Sequence, residues 1–147
     1  MELHLFTIGY EKRTIKEYIA LLKKFNINVL IDVREVAWSY KQDFRKNTLD
    51  NFLKRENIQY IHLPEAGNPK EIRKSSENIK ECLDNYRLYL SKTESGLKFL
   101  KFIILKSTLS QKNVCITCFE RDFICCHRSI IIDAIEKNFA NLNIVHI

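Results

Sequence analysis

A chain of 147 residues that is 46% hydrophobic, 29% charged and poor in glycine and proline has the composition of one globular domain, which we place at residues 1–147. It contains no low-complexity tract, no repeat, no apolar run long enough to span a membrane and no secretion leader, which favours a cytoplasmic protein without a membrane partner. The net charge of +6 favours anionic partners such as phosphates or nucleic acid, although the lysines are scattered along the chain.

Strands and helices are predicted to alternate from the start of the chain. The largely apolar run Leu3–Gly9 predicts a first strand, and residues 14–26 carry apolar side chains on one helical stripe. Thr14 and Glu17 have the spacing of a capping box, which predicts the start of this helix. The next predicted elements are a strand at residues 28–34, a helix near residues 48–56 and a strand at residues 58–63.

The second half of the chain continues this alternation after a turn, PEAGNPK, that contains both prolines. A helix is predicted from about Asn78, with one apolar face formed by Ile79, Cys82, Leu83, Tyr86 and Leu90. The remaining predicted elements are a buried helix at residues 97–109, a strand at 113–119, a helix at 127–139 and a strand at 141–147. The alternation predicts a three-layer α/β fold, with a mainly parallel sheet flanked by helices.

Polar side chains gather where the predicted strands end. In parallel sheets of this kind, ligands bind beyond the carboxyl ends of the strands. The residues at those ends are Gly9 and Tyr10, Asp32 and Arg34, His62, and Cys118 and Glu120. We therefore expect the functional site at this edge of the sheet.

The segment CFERDFICCHRS contains cysteine, glutamate and histidine, which are side chains that bind zinc. Residues three apart in a strand lie roughly 10 Å apart and point to opposite faces, so Cys115 and Cys118 are not expected to share a metal ion. A site made of Cys118, Glu120, Cys126 and His127 is geometrically conceivable, but the segment lacks a known zinc-finger or zinc-ribbon spacing. The sequence therefore favours a protein with no bound metal and no other cofactor.

An odd number of cysteines in a cytoplasmic protein favours catalytic, metal-binding or buried thiols over a disulfide framework, and a thermophilic protein stabilised by disulfides is the alternative. Cys126 precedes a predicted helix and has His127 and Arg128 beside it, which would stabilise a thiolate. Cys118 stands at a strand end, so both cysteines are interpreted either as reactive thiols or as small core side chains. Cys82 and Cys115 are interpreted as core residues, and the role of Cys125 is left undecided, with a structural role favoured.

Basic side chains at the same edge predict an anion site. His127 and Arg128 open a helix whose free amide groups can bind a phosphate, and Arg34 is expected to reach the same place. Asp32 either orients one of the arginines or forms a purely structural pair with it. His62 is either a general acid or base, or a histidine that hydrogen-bonds to backbone.

Four motifs occur in the chain in a recognisable order: TIGYE, LIDVRE, YIHLPEAGNPKEIR and CFERDFICCHRSI. They resemble the family named domain of unknown function 488, whose members share T-I-G-[HY], D-V-R followed by P-x-S-R, H-L-P, and C-x-E leading into C-H-R. The resemblance runs from Thr7 to about Asp133. It implies that the family's motif positions are Gly9, Asp32, Arg34, Ser39, Phe44, His62, Pro64, Gly67, Cys118, Glu120, Cys126, His127 and Arg128.

The chain departs from the family pattern at two positions of the loop after the D-V-R strand. Ala37 stands in place of the usual proline, and Tyr40 in place of the usual arginine, whose charge Lys41 or Arg45 could supply. The resemblance implies no particular reaction, so nucleotide or nucleic-acid chemistry stays an analogy.

A fainter resemblance concerns VLIDVRE, which is similar to a strand of rhodanese-like sulfurtransferases. In those enzymes a later cysteine opens an anion-binding loop that leads directly into a helix, whereas nine residues separate Cys118 from Arg128 here. The same spacing departs from the C-x5-R loop of cysteine phosphatases. Sulfur transfer and phosphatase-like chemistry are therefore lesser alternatives.

Two functional hypotheses follow. The first is a small enzyme for a phosphate-bearing or other anionic substrate, with a nucleotide or nucleic acid among the candidates. Its expected residues are Arg34, Asp32, Tyr10, Ser39, His127 and Arg128 for binding, Cys126 or Cys118 as the reactive thiol, and Glu120 or His62 for proton transfer. The second is a non-catalytic nucleotide or nucleic-acid module, which predicts exposed aromatic side chains at Trp38 and Tyr40. A purely structural role for these groups is the third interpretation, and the oligomeric state is not predicted.

Overall fold

The fold is a five-stranded parallel β-sheet with helices on both faces. The computed structural model describes residues 3–93, 98, 100–102, 104–105, 109–122, 126–137, 139 and 141–147. Its strands are β1 (Leu3–Gly9), β2 (Ile27–Asp32), β3 (Gln59–His62), β4 (Asn113–Cys118) and β5 (Leu142–His146). Their order across the sheet is β3-β2-β4-β1-β5, and each neighbouring pair is parallel. The predicted three-layer α/β fold is confirmed.

Five helices connect the strands among the fully described segments. They are α1 (Ile15–Lys24), α2 (Lys46–Arg55), α3 (Lys70–Ser75), α4 (Ile79–Lys92) and α5 (Arg128–Glu136). Short 3-10 turns lie at Gln42–Phe44 and Pro64–Ala66. No helix in the described ranges is long and apolar enough to cross a membrane.

Side chains that alternate along the central strands build one core on each face of the sheet. On one face, α4 and α5 pack against residues such as Leu5, Ile31 and Ile116. On the other, α1 and α2 pack against residues such as Phe6, Leu30 and Cys115. Because successive strand residues point to opposite faces, Cys115 and Cys118 belong to different cores, as predicted.

The helix starts follow the predicted chemistry. The Thr14 hydroxyl accepts a hydrogen bond from the amide of Glu17 at 3.1 Å, and the side chain of Asn78 accepts one from the amide of Glu81 at 2.8 Å. Each bond satisfies an amide that has no partner within the helix. The predicted starts of α1 and α4 are therefore confirmed.

Two predictions along the chain differ from the structure. The stretch interpreted only as a turn continues into α3, with Pro69 at its N-cap. The described residues of the predicted 97–109 helix are helical, but only one side of it is buried. Leu100 and Ile104 lie in the core, whereas Phe102 and Leu109 are exposed. An apolar composition does not distinguish a buried helix from one with an exposed apolar side.

Candidate functional site

A cavity of about 880 Å³ opens at the carboxyl edge of the sheet. Six of the residues predicted for the site line it, namely Tyr10, Arg34, Ser39, Cys118, Glu120 and His127. The other four contact these residues from outside the cavity wall, namely Asp32, His62, Cys126 and Arg128. The predicted residues thus gather at the predicted edge, in two shells with different access to solvent.

Aromatic side chains form the mouth of the cavity. Trp38 is 48% exposed, Tyr40 92% and Phe119 44%, and we call these three the aromatic rim. The rings of Trp38 and Tyr40 meet edge to face at 4.8 Å, and the guanidinium of Arg45 lies 5.0 Å from the Trp38 ring. The rings of Trp38 and Tyr40 are therefore exposed, although Ser39 between them and Phe44 further along the loop are buried.

Arg34 is held in place by protein groups. Its Nε donates to Asp32 Oδ1 at 2.9 Å, its Nη2 to Asp32 Oδ2 at 2.6 Å, and its Nη1 to the Phe44 carbonyl at 2.8 Å and to the Tyr10 hydroxyl at 3.2 Å. Burial by itself lowers the pKa of Arg34, but the ion pair with Asp32 outweighs it and raises the pKa. The hydroxyl of Tyr60 donates to the same carboxylate at 2.5 Å. The pair therefore ties together the ends of β1 and β2 and the following loop.

His62 and Arg128, two predicted site residues outside the wall, also form hydrogen bonds with backbone. His62 Nε2 lies 2.7 Å from the carbonyl oxygen of Arg34, and Arg128 Nη2 donates to the carbonyl of Glu120 at 2.5 Å. The side chain of Arg128 is buried, and its Nε has no hydrogen-bond partner within the described residues. Burial lowers the pKa of Arg128. The two side chains therefore hold the backbone at Arg34 and Glu120, which both line the cavity.

The structure joins two thiols that the sequence presented as alternatives. The sulfur atoms of Cys118, at the end of β4, and Cys126, before α5, form a disulfide. Cys118 Sγ lies 3.4 Å from Glu120 Oε2, and Cys126 Sγ lies 3.6 Å from His127 Nδ1. The sequence favoured separate thiols over a disulfide, because the seven residues between the two cysteines reveal nothing about how the segment folds back.

Burial sets the protonation states beside these sulfurs. His127 Nε2 lies 2.7 Å from the carbonyl oxygen of Val33, which can only accept, so Nε2 carries the proton and Nδ1 presents a lone pair. Burial lowers the pKa of His127 to about 4, so the ring is neutral at pH 7. Burial also raises the pKa of the Glu120 carboxyl. A neutral imidazole and a carboxyl with a raised pKa are both suited to proton transfer.

Two glycines allow backbone segments to meet on either side of the cavity. A Cβ at Gly9 would overlap the carbonyl oxygen of Glu120, and a Cβ at Gly67 would overlap the backbone of Glu35. Beyond Gly9, the amide of Tyr10 donates to the Cys118 carbonyl at 3.3 Å. The absence of a side chain at position 9 therefore lets the end of β1 support the segment that follows β4.

Glu35 and Arg73 line the cavity although they were not predicted for the site, and Lys41 was named only as a residue that could supply the charge of the missing arginine. Glu35 and Arg73 line the cavity as an ion pair at 3.2 Å, and Lys41 lines it while donating to the carbonyls of Tyr10 and Arg13. Glu35 adjoins the D-V-R motif, which was the one available signal for it. Arg73 ends the motif YIHLPEAGNPKEIR, but nothing in that motif indicated that its side chain lines the site.

The cysteines away from the disulfide had mixed outcomes. Cys82, interpreted as core, instead lines the cavity, and its sulfur accepts a hydrogen bond from Asn68 Nδ2 at 3.3 Å. Cys115 is buried as predicted, and burial raises the pKa of its thiol. Cys125 lies outside the described residues.

Comparison with known proteins identifies the family. The family model described as "Domain of unknown function DUF488" matches residues 14–135. No curated protein and no solved structure gave a significant match. Because the family model covers most of the chain, including the D-V-R, H-L-P, C-x-E and C-H-R motifs, the chain belongs to the DUF488 family.

Proposed function

We propose that the protein is a small enzyme that binds an anionic, aromatic ligand of the nucleotide class in the cavity at the carboxyl edge of the sheet. One observation carries the proposal. The cavity combines the aromatic rim with a wall that contains Cys118, Glu120 and His127. Its volume of about 880 Å³ lies within the range of small-molecule sites.

The aromatic rim supports the aromatic part of the ligand. Exposed rings of Trp38, Tyr40 and Phe119 offer flat faces at the mouth of the cavity. Stacking of a nucleobase on such a ring contributes about 1–3 kcal/mol and tolerates any base. Large aromatic side chains exposed together in this way mark a binding surface more often than a folding requirement.

The positive charge of Lys41, in the cavity lining, supports the anionic part of the ligand. Asp32 balances Arg34, and Glu35 balances Arg73. Lys41 donates to two neutral carbonyl oxygens, so its positive charge is not cancelled by those contacts. We therefore assign the phosphate of the ligand to the neighbourhood of Lys41. Arg34 and Arg128, which the sequence suggested as anion ligands, are assigned the role of holding the wall.

The residues proposed to carry out the chemistry, Cys118, Glu120 and His127, line the same cavity as the aromatic rim. In the reduced protein, Cys118 supplies a thiol, and Glu120, 3.4 Å from its sulfur, accepts the proton that activates it. His127, with a free Nδ1, is the second proton-transfer group. A ligand stacked at the rim would extend its reactive part towards these residues.

The single tryptophan allows a direct test of binding. Trp38 belongs to the aromatic rim, so its fluorescence reports on ligand stacking. We expect a saturable change when the reduced protein is titrated with mononucleotides or a short single-stranded oligonucleotide. Lys41→Ala should weaken binding about tenfold or more, through loss of a charge-assisted contact. Lys54→Ala on α2, a control, should leave it unchanged. No fluorescence change with any of these ligands would refute the proposal.

A second measurement separates the enzyme from the non-catalytic module, which the exposure of Trp38 and Tyr40 also favours. The enzyme predicts that mass spectrometry detects a changed nucleotide after incubation, and that Glu120→Gln abolishes the change while binding persists. The module predicts unchanged ligands and an oligonucleotide affinity that falls steeply with salt.

A further inference from the structure

Three side chains of types that bind metals lie together at the cavity, where Cys118 and His127 line the wall and Cys126 lies behind it. The sulfur atoms of Cys118 and Cys126 and a ring nitrogen of His127 all lie within 4.8 Å of one another. We call these residues the Cys-His cluster. Their donor atoms, two thiolates and an imidazole, are the set that soft divalent ions of the zinc class prefer. We propose that the Cys-His cluster, in its reduced form, binds one such ion.

One pair of donor atoms already has the spacing of tetrahedral coordination, and the two sulfurs, which are bonded to each other in the disulfide, would have to separate on reduction. Zinc–sulfur bonds of about 2.3 Å and zinc–nitrogen bonds of about 2.0 Å place neighbouring donors roughly 3.5–3.8 Å apart. Cys126 Sγ and His127 Nδ1 are already 3.6 Å apart. The Cα atoms of Cys118 and Cys126 are 7.7 Å apart, which is wider than the roughly 4.4–6.8 Å usual for a disulfide. This backbone separation leaves room for an ion between the two sulfurs.

Groups around the Cys-His cluster orient its donors. His127 donates its Nε2 proton to the carbonyl of Val33 at 2.7 Å, which turns the Nδ1 lone pair towards the sulfurs. The backbone amide of Arg128 points to Cys126 Sγ at 3.5 Å, a contact that stabilises a thiolate. Metal-binding histidines and thiolates are commonly fixed by such outer contacts. The outer contacts of a metal site are therefore in place around the cluster.

The charge of the three ligands and the access to them through the cavity also fit a bound divalent ion. Two thiolates and a neutral imidazole together balance the charge of a divalent ion, so the partly buried site carries no net charge. Cys118 and His127 line the cavity, so a fourth coordination position would face it. Glu120 lies beside that position, 3.4 Å from Cys118 Sγ. Three protein ligands and one open position are the pattern of catalytic zinc sites.

The disulfide and the metal site exclude each other, because both use the same sulfurs. Reduction by a phosphine transfers two electrons to the disulfide and, with two protons from water, yields two thiols. Binding of the ion then releases those two thiol protons. The site is tested independently of the function proposed above, since its test requires no substrate. The ion and the thiol chemistry belong to different forms of the protein, because the bound ion would occupy Cys118 Sγ and His127 Nδ1.

Cobalt(II) is the probe for the experiment, because it reports thiolate ligation by colour. We expect the phosphine-reduced protein, freed of phosphine under argon, to bind one cobalt(II) ion per chain. Binding should produce a thiolate-to-cobalt charge-transfer band and the visible bands of a tetrahedral site, and zinc(II) should remove both. The oxidised protein should bind none.

Matched variants identify the ligands. Cys118→Ser, Cys126→Ser and His127→Gln should each lose stoichiometric binding and the tetrahedral spectrum. Cys82→Ser, which removes a lining thiol outside the Cys-His cluster, and Glu120→Gln should retain both. Circular dichroism verifies that each variant is folded. Retention of the wild-type spectrum in Cys118→Ser or Cys126→Ser would overturn the proposal.

A second measurement uses only the wild-type protein, so its result does not depend on whether the variants fold. Zinc(II) should protect Cys118 and Cys126 from iodoacetamide, as measured by peptide mass spectrometry, and a chelator should remove the protection. Equal alkylation of both cysteines with and without zinc(II), in a folded protein, would also overturn the site.

Discussion

Asp32 and Arg34 show how two residues predicted for the site are bonded mainly to other protein groups in the fold. The carboxylate is fully buried and receives hydrogen bonds from Arg34 and from the Tyr60 hydroxyl. The guanidinium bridges this carboxylate to the Tyr10 hydroxyl and to backbone. Removing one member of such a pair leaves the other charge buried without compensation.

Asp32→Asn is therefore expected to destabilise the protein by about 3–5 kcal/mol. The control is Glu56→Gln, which breaks the exposed ion pair between Lys23 and Glu56 and should cost less than about 1 kcal/mol. Urea denaturation followed by circular dichroism measures both changes. Equal stability of Asp32→Asn and the wild type would show that the buried pair does not hold the edge of the sheet together.

At the scale of single elements, α4 carries a testable capping contact. The side chain of Asn78 accepts a hydrogen bond from the Glu81 amide at 2.8 Å at the start of this helix. Further along, the helix is anchored in the core by buried Tyr86 and Leu90. Asn78→Ala should destabilise the protein by about 1 kcal/mol, because that amide loses its partner.

Lys80→Ala, an exposed change in the same first turn, is the control for Asn78→Ala and should alter stability by less than about 0.5 kcal/mol. Chemical denaturation distinguishes the two variants. If both substitutions changed the free energy of unfolding equally, the cap would not be responsible.

Most elements were predictable because local rules and the fold agree. The apolar runs of β1 and β4 and the caps at Thr14 and Asn78 all lie where the sequence places them. The helix α3 was missed because Gly67 and Pro69 are turn signals and its six residues are too short for periodicity to show. A proline next to a helix start is in fact compatible with the helix, since its missing amide is not needed there.

The candidate site was predictable in location but not in contacts. Strand ends specified the edge of the sheet, yet no local pattern indicates that Cys126 folds back onto Cys118. The helical period placed Ile79 and Cys82 on one face of α4, but both line the cavity instead of filling the core. Such contacts depend on how separate elements pack, and this information is not present in any one segment.

At the scale of the whole molecule, β4 is the strand that holds the sheet together. It pairs with β1 on one side and with β2 on the other, while β5 lies at an edge and pairs with β1 alone. A chain that ends at residue 112 lacks β4 together with α5 and β5 and should show no cooperative unfolding transition. A chain that ends at residue 140 lacks only the edge strand and should unfold cooperatively at a lower urea concentration than the full chain. Cooperative unfolding of the shorter chain would contradict this role of β4.

The strand order also has a consequence for the chain during its synthesis. Both partners of β1 come from the second half of the chain, and Asn113, the start of β4, is made about a hundred residues after Gly9. At roughly 5–20 residues per second, the ribosome needs on the order of 5–20 s to add β4. During that interval Leu5, Phe6 and Ile8, all buried in the finished fold, have no sheet to join. The first strand is thus an exposed apolar segment that chaperones can bind until the last third of the chain emerges.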